Sequence, residues 1–403
     1  MSEWFSTTLG NIEVDFIDGD RGKNYPSQND FNSDGYCLFL NTKNVRKNGF
    51  DFSSLQFITE VKDSQLRKGK LQIGDIVLTT RGTIGNTALY NKEILFKNIR
   101  INSGMVIIRT NPLSIHNIYF LYFLRDLDYE SIISGSAQPQ LPIRDLKKVE
   151  LMLPPLLEQK AIASVLSALD NKIDLLHRQN KTLESMAETL FRQWFVEEAQ
   201  DDWEEVNVLN IFSLVGGGTP KTSIDEYWNG NIPWISGGDI SQSHKGFISK
   251  TEQSITELGL KSSSTKLLPK FSTIISARGT VGRYAMLEQE MCFSQSNYGI
   301  IPKGHNCYYF VYLLIGFIVD ELLAAAYGSV FDTITTRTFE SVDLKLPEMT
   351  VIANFEKTVI EFFKKKESNT KQIQTLEKLR DTLLPKLMSG EVRVNYTTEE
   401  IKQ

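Results

Sequence analysis

One stretch of the chain occurs twice, first as Gly74-Asp-Ile-Val-Leu-Thr-Thr-Arg81-Gly-Thr-Ile-Gly85 and again, 197 residues later, as Phe271-Ser-Thr-Ile-Ile-Ser-Ala-Arg278-Gly-Thr-Val-Gly282. In both copies a short apolar run ends in an arginine, and a Gly-Thr-x-Gly turn follows. Such a run predicts a buried strand that enters a hairpin. A repeat of this length is far longer than the units of solenoid proteins, so it predicts a tandem duplication of a whole domain.

Other parts of the chain repeat as well. The matches at an offset of 193 residues are Gly135-Ser136 with Gly328-Ser329, residues 149–154 with 342–347, and residues 182–184 with 375–377. Each half contains short β-rich segments, an apolar helix (residues 118–127 or 308–326), an alternating strand that ends at a proline, and a long closing helix. We therefore expect an α+β (mixed α/β) tandem repeat with these parts: a first globular domain at 1–152, a central spacer helix at 153–200, a second globular domain at 201–347, a C-terminal spacer helix at 348–391 and a tail at 392–403.

The two closing helices carry the strongest periodic signal, a ladder of residues spaced alternately four and three apart. In the first helix nine of ten ladder residues are apolar, and in the second seven of ten are. This spacing is typical of a coiled-coil seam. The two ladders are Ile162, Leu166, Leu169, Ile173, Leu176, Asn180, Leu183, Ala187, Leu190 and Trp194, and Phe355, Val359, Phe362, Lys366, Asn369, Ile373, Leu376, Arg380, Leu383 and Leu387.

The two ladders predict that the helices pair with each other in antiparallel orientation. Matching their ends places three pairs opposite each other: Ile162 with Leu387, Asn180 with Asn369, and Trp194 with Phe355. A buried Asn180–Asn369 pair would set the register. Lys366 and Arg380, facing Leu183 and Leu169, would extend their charged ends to solvent. The alternative is that the two helices belong to separate cores.

Composition limits the class of protein. The chain has 403 residues, of which 41% are hydrophobic and 23% charged, which is typical of a soluble globular protein of two or three domains and excludes disorder, collagen and a lone coiled coil. Residues 1–7 carry an acid where a secretion signal has cations, and the apolar run 308–319 is too short to span a membrane. We expect a buried helix there and a cytoplasmic protein. Three dispersed cysteines and four dispersed histidines indicate neither a disulfide scaffold nor a metal site.

The charge is unevenly distributed. The net charge of −5 argues mildly against a simple nucleic-acid binder, but residues 41–109 contain twelve lysines and arginines against five acids. Such a local excess could face phosphates, or it could be an ordinary solvated surface. Residues 1–150 carry 18 basic and 17 acidic side chains, whereas residues 201–347 carry 11 and 16. If the ligand is a nucleic acid, we therefore expect the first repeat to bind it more tightly than the second.

Catalytic motifs are missing from the sequence. The stretch from Gly216 to Thr222 resembles a phosphate-binding loop, but Pro220 stands where that motif has a glycine before its lysine. The chain contains no Asn-Pro-Pro-aromatic motif of the amino-methylating enzymes, no dinucleotide fingerprint and no nucleophile elbow. A chain of this size without a catalytic pattern is predicted to bind rather than to catalyse.

Arg81 and Arg278 are the strongest candidates for a binding function. Each turn is either a plain hairpin with an exposed arginine, or a loop that presents a guanidinium to phosphate or guanine. The segments after Gly135-Ser136 and Gly328-Ser329 differ in side chains, including Asp332 in the second, and such differences on a shared scaffold suit the reading of two half-sites. The candidate DNA contacts are Lys43, Asn44, Arg46, Lys47, Arg81, Thr83, Gln138, Gln140, Arg144, Lys221, Lys245, Arg278, Thr280, Thr335 and Arg337.

Over essentially its whole length the chain resembles the specificity subunits of type I restriction–modification systems. The stretch Leu153-Pro-Pro-Leu-Leu-Glu-Gln-Lys-Ala-Ile-Ala163, with its continuation to Phe195, is similar to the central spacer of that family. The repeated strand and turn are similar to a motif of its target-recognition domains, and residues 384–392 are similar to its usual end. The second spacer departs from the pattern, because Pro347-Glu-Met-Thr replaces Pro-Glu-Gln-Lys.

The resemblance implies a non-catalytic chain that binds double-stranded DNA. Each recognition domain would read one half of a split, asymmetric target, and the helices would set the gap between the halves. Two methyltransferase subunits and two motor-nuclease (restriction) subunits would be its partners. S-adenosylmethionine, ATP and Mg²⁺ would be bound by those partners, with no cofactor or metal on this chain. Three alternatives stay open: an enzyme with an unrecognised site, a duplicated protein-interaction scaffold, and the specificity chain of a related restriction system with fused partner subunits.

Overall fold

Two long helices, Leu156–Arg192 and Met349–Ser389, are the largest elements of the chain. The computed structural model describes residues 3–47, 49–135, 138–304, 306–326 and 333–395. The chain divides into a first unit, Met1–Lys172 with Thr375–Gln403, and a second unit, Ile173–Gln374. Each unit thus contains a part of both long helices. The predicted limits of the five segments stay predictions.

The first unit is built on two small sheets. An antiparallel sheet has the order Val14–Asp18, Met105–Thr110, Ile76–Thr79 and Thr87–Leu89. A second sheet has the order Phe57–Ile58, Cys37–Leu40 and Ile99–Ile101, with Phe5–Thr8 paired to Glu150–Leu153 and Val45–Arg46 to Gly49–Phe50 elsewhere in the unit. Its helices are Glu60–Gln65, Asn117–Asp126 and Ile143–Leu146, with 3-10 turns at Gln28–Asp30 and Thr42–Asn44.

The second unit repeats this plan with a fifth strand in its larger sheet. One sheet has the order Phe212–Gly216, Asn297–Pro302, Thr273–Ser276, Tyr284–Leu287 and Phe247–Ile248, and another has Gln253–Ile255, Trp228–Ile235 and Cys292–Phe293. Glu204–Asn207 pairs with Asp343–Leu346. Its helices are Val208–Ile211, Gly237–Gln242, Glu257–Lys261, Tyr308–Ala326 and Thr336–Glu340, with a 3-10 turn at Asp225–Tyr227 and a π turn, Gln193–Glu197, that continues the first long helix.

Strand pairing preserves the duplication. Phe5 pairs with Leu153 in the first unit, and Glu204 pairs with Leu346, 193 residues after Leu153, in the second. Each long helix then begins three residues after that strand ends. The two halves of the sequence therefore have the same local topology, as the repeat predicts.

The apolar helices lie where the sequence places them. Tyr308–Ala326 is, among the described residues, the one helix long and apolar enough to cross a membrane by length and composition. Ten of its residues are buried, and they form the core of the second unit with Phe212, Ile300 and Phe355. It is the buried core helix that the sequence predicts. Asn117–Asp126 has the same position in the core of the first unit.

The ladder residues of both long helices are withdrawn from water, since every one of them is buried or half-buried. In the second unit Asn369 Nδ2 donates to Asn180 Oδ1 at 2.9 Å, and the rings of Trp194 and Phe355 lie 5.6 Å apart. In the first unit Ile162 and Leu387 belong to one apolar cluster. Within each unit, therefore, ladder residues of the two long helices lie against one another.

The expectation that Lys366 extends its charge to solvent is wrong. Lys366 is only 4% exposed, and its ammonium group donates to the carboxylate of Glu184. The hydroxyl of Tyr312, on the apolar core helix, donates to the other oxygen of Glu184 at 2.9 Å. Glu184 lies one residue beyond the ladder position of Leu183, so the ladder alone gave no partner for the lysine. Removing one member of such a buried pair lowers the free energy of unfolding by several kcal/mol, because the other charge is left without a partner.

The same expectation for Arg380 is also wrong. Its guanidinium donates to Asp170 at 2.9 Å, one residue beyond Leu169, and its side chain is only 19% exposed. Tyr122, on the helix Asn117–Asp126, donates to the other oxygen of Asp170 at 2.6 Å. In each unit, therefore, a tyrosine of the core helix and a base of the second long helix meet at an acid of the first long helix.

The N-terminus of the helix Tyr308–Ala326 is closed by a carboxylate from the second long helix. Glu356 accepts the backbone N–H groups of Tyr309 and Phe310 at 3.0 and 2.8 Å. Burial disfavours the charged form and raises the pKa of Glu356 to about 7, although these two hydrogen bonds oppose the shift. In the first unit an amide serves instead, because Gln159 Oε1 accepts the N–H of His116 at 2.9 Å.

We predict that Glu356→Gln reduces the pH dependence of stability. The pKa of Glu356 in the folded chain lies above its ordinary value of 4.5, so the folded state retains a proton that the unfolded state releases, and stability falls as pH rises from about 4.5 to about 7. The variant keeps an acceptor oxygen and cannot titrate. The loss of stability between pH 5 and pH 8 should therefore be smaller in the variant, by about 1.4 kcal/mol per unit of the pKa shift that it removes, whatever the variant loses at all pH values because its amide nitrogen cannot accept the second backbone N–H. Urea unfolding at pH 5 and pH 8 measures this, and an equal pH dependence in both proteins would contradict it.

Candidate nucleic-acid interface

The Arg81 turn joins two strands of the first unit. Leu78 pairs with Thr87, and Gly82 and Gly85 have φ values of +71° and +92°, which only glycine adopts without strain. Gly85 N donates to Thr79 O at 3.1 Å across the turn. The turn is therefore the glycine hairpin that the sequence predicts, and Arg81 is exposed on it.

The Arg278 turn has the same construction in the second unit. Ile275 pairs with Tyr284, Gly279 and Gly282 have φ values of +79° and +81°, and Gly282 N donates to Ser276 O at 2.9 Å. Arg278 is exposed, like Arg81. The hydroxyl of Ser276 donates to the carbonyl of Arg278 at 3.2 Å, which closes the turn from inside.

In each unit a single carbonyl oxygen accepts hydrogen bonds from the backbone N–H groups of the arginine and of the residue before it. Thr80 N and Arg81 N both donate to Gly104 O, at 2.8 and 3.2 Å. In the second unit Ala277 N and Arg278 N donate to Ser296 O, at 2.9 and 3.2 Å. The sequence analysis did not identify Gly104 or Ser296, because these residues act through their backbone carbonyl groups, which any residue has.

The segment that follows the apolar helix lies on the other side of each turn. Leu141 N donates to Thr80 O at 2.9 Å, and Ile334 N donates to Ala277 O at 3.1 Å. Both units thus hold their arginine between the same two stretches of backbone. The structure brings together the turn and the variable segment, which the sequence separates by about sixty residues.

The variable segments carry different side chains. In the first unit Arg81 Nη2 donates to Gln140 Oε1 at 3.3 Å, while Gln138 and Arg144 are exposed nearby in sequence, Arg144 beside Asp145 at 3.4 Å. In the second unit Thr335 and Arg337 are exposed at the start of the helix Thr336–Glu340. Ser136, Gly328, Ser329 and Asp332, which the sequence analysis also names, lie outside the described residues.

A third segment, residues 41–47, borders the Arg81 turn in the first unit. Asn86 Nδ2, next to the turn, donates to Val45 O at 3.0 Å. Lys43, Arg46 and Lys47 are exposed on this segment, with Arg46 paired to Asp51 at 3.1 Å. Thr83 is exposed in the turn, and its hydroxyl accepts from Asn86 at 3.2 Å.

Asn44 does not belong to this exposed set. It is 3% exposed, and its Nδ2 donates to the carbonyl oxygens of Asp51 and Ser54 at 3.0 and 2.8 Å. Its Oδ1 accepts the N–H of Asn41 at 3.0 Å. The side chain closes its own loop, so the predicted DNA contact by Asn44 is corrected to a structural role.

The corresponding segment of the second unit is not basic. The helix Gly237–Gln242 stands there and contains no lysine or arginine. The hydroxyl of Ser241 donates to Thr280 Oγ1 at 2.8 Å, which ties the segment to the Arg278 turn. Lys245 follows it but is paired with Glu188 at 3.1 Å.

The glycine-rich stretch before Lys221 serves packing. A Cβ on Gly217 would lie 2.2 Å from Ser294 O, and one on Gly218 would lie 2.3 Å from Ser264 Oγ, so only glycine fits at either position. Lys221 is exposed beyond them. In the part of the chain that the structure describes, no group of three or more His, Cys, Asp or Glu side chains could hold a metal ion.

Part of the predicted basic excess of residues 41–109 is internal. Arg100 is 5% exposed and donates to Asp63 and to three backbone carbonyls. Arg109 forms two hydrogen bonds with Asp75, both at 2.8 Å. Lys62 and Lys70 pair with Asp30 and Asp63. These four cations stabilise the fold, and the count of charges along the chain overstates the basic surface.

Comparison with known proteins relates this duplicated arrangement to a family. The family model described as the type I restriction modification DNA specificity domain matches residues 2–185 and 200–378. The chain belongs to this family. A specificity subunit, MjaIX from Methanocaldococcus jannaschii, is 28% identical over 348 residues, which are 80% of this chain and 78% of the relative. The HindI specificity subunit of Haemophilus influenzae is 24% identical over 97% of this chain and all of its own length.

The fold agrees with that assignment. The crystal structure of a type I restriction–modification S subunit from M. genitalium matches with a TM-score of 0.59 over 98% of this chain and 97% of its own, at 16% identity. The predicted family is confirmed, and the chain is a type I specificity subunit with two DNA-recognition domains. The prediction that it is not an enzyme by itself is confirmed by the same family match and by the relatives, which are named specificity subunits.

We predict that Arg81→Ala and Arg278→Ala each weaken the affinity of the assembled specificity complex for its cognate DNA by about 1–3 kcal/mol, because each removes an exposed guanidinium held by the fold. Fluorescence anisotropy with cognate and scrambled duplexes measures the effect. Lys92→Ala, an exposed cation of the first unit outside the three segments, is the control. If both arginine variants bind DNA with the affinity of the wild type, these turns are not part of the DNA interface.

Proposed function

We propose that this specificity subunit reads a bipartite, asymmetric DNA target, with one half-site recognised by each unit. The observation that carries the proposal is the duplicated frame around Arg81 and Arg278. In both units two successive backbone N–H groups donate to one carbonyl, and the exposed arginine lies between the same neighbouring segments. The frame is made by backbone groups, so the side chains on it are free to differ.

The exposed side chains suit the edges of base pairs. An arginine that donates two hydrogen bonds recognises guanine, glutamine recognises adenine, and threonine can contact the methyl group of thymine. Gln140 accepts from Arg81 and so restrains its guanidinium before DNA arrives. The second unit offers Arg278 with Thr280, Thr335 and Arg337. The same backbone frame thus carries a different set of exposed side chains in each unit, which supports the reading of two different half-sites.

Charge supports a larger contribution of phosphate contacts by the first unit. Lys43, Arg46 and Lys47 are exposed beside its turn, whereas the helix Gly237–Gln242 has no cation at the corresponding place. Phosphate contacts add affinity without adding sequence preference. In this proposal the first unit therefore holds DNA more tightly, and the second depends more on its base contacts.

The proposal also includes an antiparallel coiled coil of the two long helices that sets the gap between the half-sites. Contacts within each unit support it. In the second unit residues 180, 184 and 194 contact residues 369, 366 and 355, so the numbers rise on one helix as they fall on the other. In the first unit Asp170 contacts Arg380 in the same sense. At about 1.5 Å per residue, these 37- and 41-residue helices are about 55 and 60 Å long.

Catalysis would belong to partners. We propose that two methyltransferase subunits bind this chain and methylate one adenine in each half-site, after the base leaves the helical stack. Two motor-nuclease subunits would join them to cut unmodified DNA. S-adenosylmethionine, ATP and Mg²⁺ would be bound by those subunits, and this chain would supply the choice of sequence in the cytoplasm.

We predict that a methylation-free host that expresses this chain with its encoded methyltransferase neighbour acquires a split DNA motif with one methylated adenine in each half. Methylome sequencing reads this directly, and omission of this chain should abolish the motif. No new methylation, with both proteins folded and co-purifying, would contradict the proposal. That result would favour a duplicated protein-interaction scaffold.

A second prediction tests the spacer. Removing residues 171–177 and 372–378 together takes one heptad from each helix and leaves the Asp170–Arg380 and Asn180–Asn369 layers in register. The helices shorten by about 10 Å, which corresponds to about three base pairs at 3.4 Å each. The methylated motif should keep both half-sites and lose about that many base pairs from its gap.

Removing residues 171–177 alone is the matched control, because it places the layers of one helix out of register with those of the other. That variant should lose stability and methylation. An unchanged gap in the paired deletion, or altered half-sites, would contradict the spacer role.

A further inference from the structure

The first unit contains an arginine bound by its own chain. The guanidinium of Arg393 lies 5.2 Å from the ring centre of Trp4 and donates to Glu158 through Nε and, at 2.7 Å, through Nη2. Trp4 Nε1 donates to the same carboxylate at 3.0 Å. Gly390, just after the second long helix, lets the chain pass close to the tryptophan, since a Cβ there would lie 3.3 Å from the ring. Stacking on an aromatic face combined with a paired carboxylate is a strong form of arginine binding.

The duplication places a second tryptophan at the corresponding position. Trp4 and Trp203 each stand one residue before the strand that pairs with the strand preceding a long helix. At the offset of 193 residues, Gln200 corresponds to Arg393, and Val351 corresponds to Glu158. Trp203 N donates to Gln200 O at 3.2 Å, so residue 200 lies beside this tryptophan. The second unit therefore has the aromatic residue of the arginine site without an arginine of its own chain.

A groove of about 780 Å³ lies at Trp203. We call it the acidic groove. Apolar side chains, Trp194, Trp203, Val206, Leu346 and Ile352, line it together with the polar residues. Four exposed acids also line it, namely Glu198, Asp202, Glu204 and Glu348.

The groove attracts cations. None of its four carboxylates forms an ion pair with a lysine or arginine in the part of the chain that the structure describes. Lys303, the cation in the described lining, has its ammonium donating to Leu209 O at 2.6 Å. Clefts lined by one sign of charge concentrate the opposite charge. An aromatic floor favours arginine over lysine, because a guanidinium stacks as well as pairs.

We propose that the acidic groove binds an arginine on an extended segment of the methyltransferase subunit. Its guanidinium would lie on Trp203 as that of Arg393 lies on Trp4, and the acids of the groove would take the part of Glu158, whose counterpart here is Val351. The inference rests on the proposed function, since it assigns a docking site to one of its partners. The guanidinium stacks on Trp203, and the surrounding carboxylates, with Asp202 and Glu348 among them, neutralise it. In the first unit Arg393 of the same chain already occupies the site at Trp4, so only the second unit would bind the partner in this way.

The test uses the full-length chain and its encoded methyltransferase, with affinity and stoichiometry measured by analytical ultracentrifugation at two salt concentrations. Asp202→Asn with Glu348→Gln removes two charges from the groove and should weaken the binding of one methyltransferase by about tenfold or more at low salt. Asp225→Asn with Glu290→Gln, two exposed acids of the second unit outside the groove lining, is the matched control and should bind as the wild type does.

A second variant fills the groove from within. Gln200→Arg restores the arginine that the first unit has and should compete with the methyltransferase, lowering its affinity while thermal stability is kept or increased. Gln200→Met, similar in size and uncharged, should leave binding unchanged. If the wild type binds no methyltransferase, the proposed function fails and this inference with it. If the wild type binds and the groove variants bind equally well, only the docking site is wrong.

Discussion

A carboxylate withdrawn from water must be neutralised where it lies, and in each unit one such carboxylate joins three helices. The two sets are Tyr122, Asp170 and Arg380 in the first unit, and Tyr312, Glu184 and Lys366 in the second. Both acids lie on the first long helix and both bases on the second. Breaking a buried pair leaves an uncompensated charge that costs several kcal/mol. Each unit therefore requires both helices, and its core joins residues about two hundred positions apart.

Under the proposed function, the duplicated frame would let one fold recognise two different half-sites. Backbone groups hold Arg81 and Arg278, and those hydrogen bonds do not depend on the side chains around them. The neighbouring segments can therefore change in composition without loss of the turn. The first unit has exposed cations at residues 41–47, whereas the second has a helix without lysine or arginine at Gly237–Gln242. In the proposed function, backbone groups would form the scaffold and the side chains on it would determine the DNA sequence that is read.

Much of the fold was predictable because its signals are local. The alternation before Pro154 and Pro347, the glycines of the two turns and the ladders of the long helices each reflect the period of one element. The candidate site was predictable only in part. Arg81 and Arg278 are exposed as expected, but Asn44 closes a buried loop. Asn44 failed because its amide bonds to backbone groups of its own loop, a role that no residue pattern marks. Lys366 and Arg380 failed because their acidic partners are distant in sequence.

By itself, then, the sequence determined the duplication, the type of the main elements and the family, because these depend on residue spacing along the chain. Only the tertiary structure decided which charges face water. Lys366 and Arg380 have the spacing of exposed cations, yet each meets an acid one position beyond the ladder and a tyrosine from the core helix. Arg100 likewise turns inward to Asp63. A charge is stable inside only where a counter-charge meets it, and such meetings depend on the packing of elements that sequence spacing does not specify.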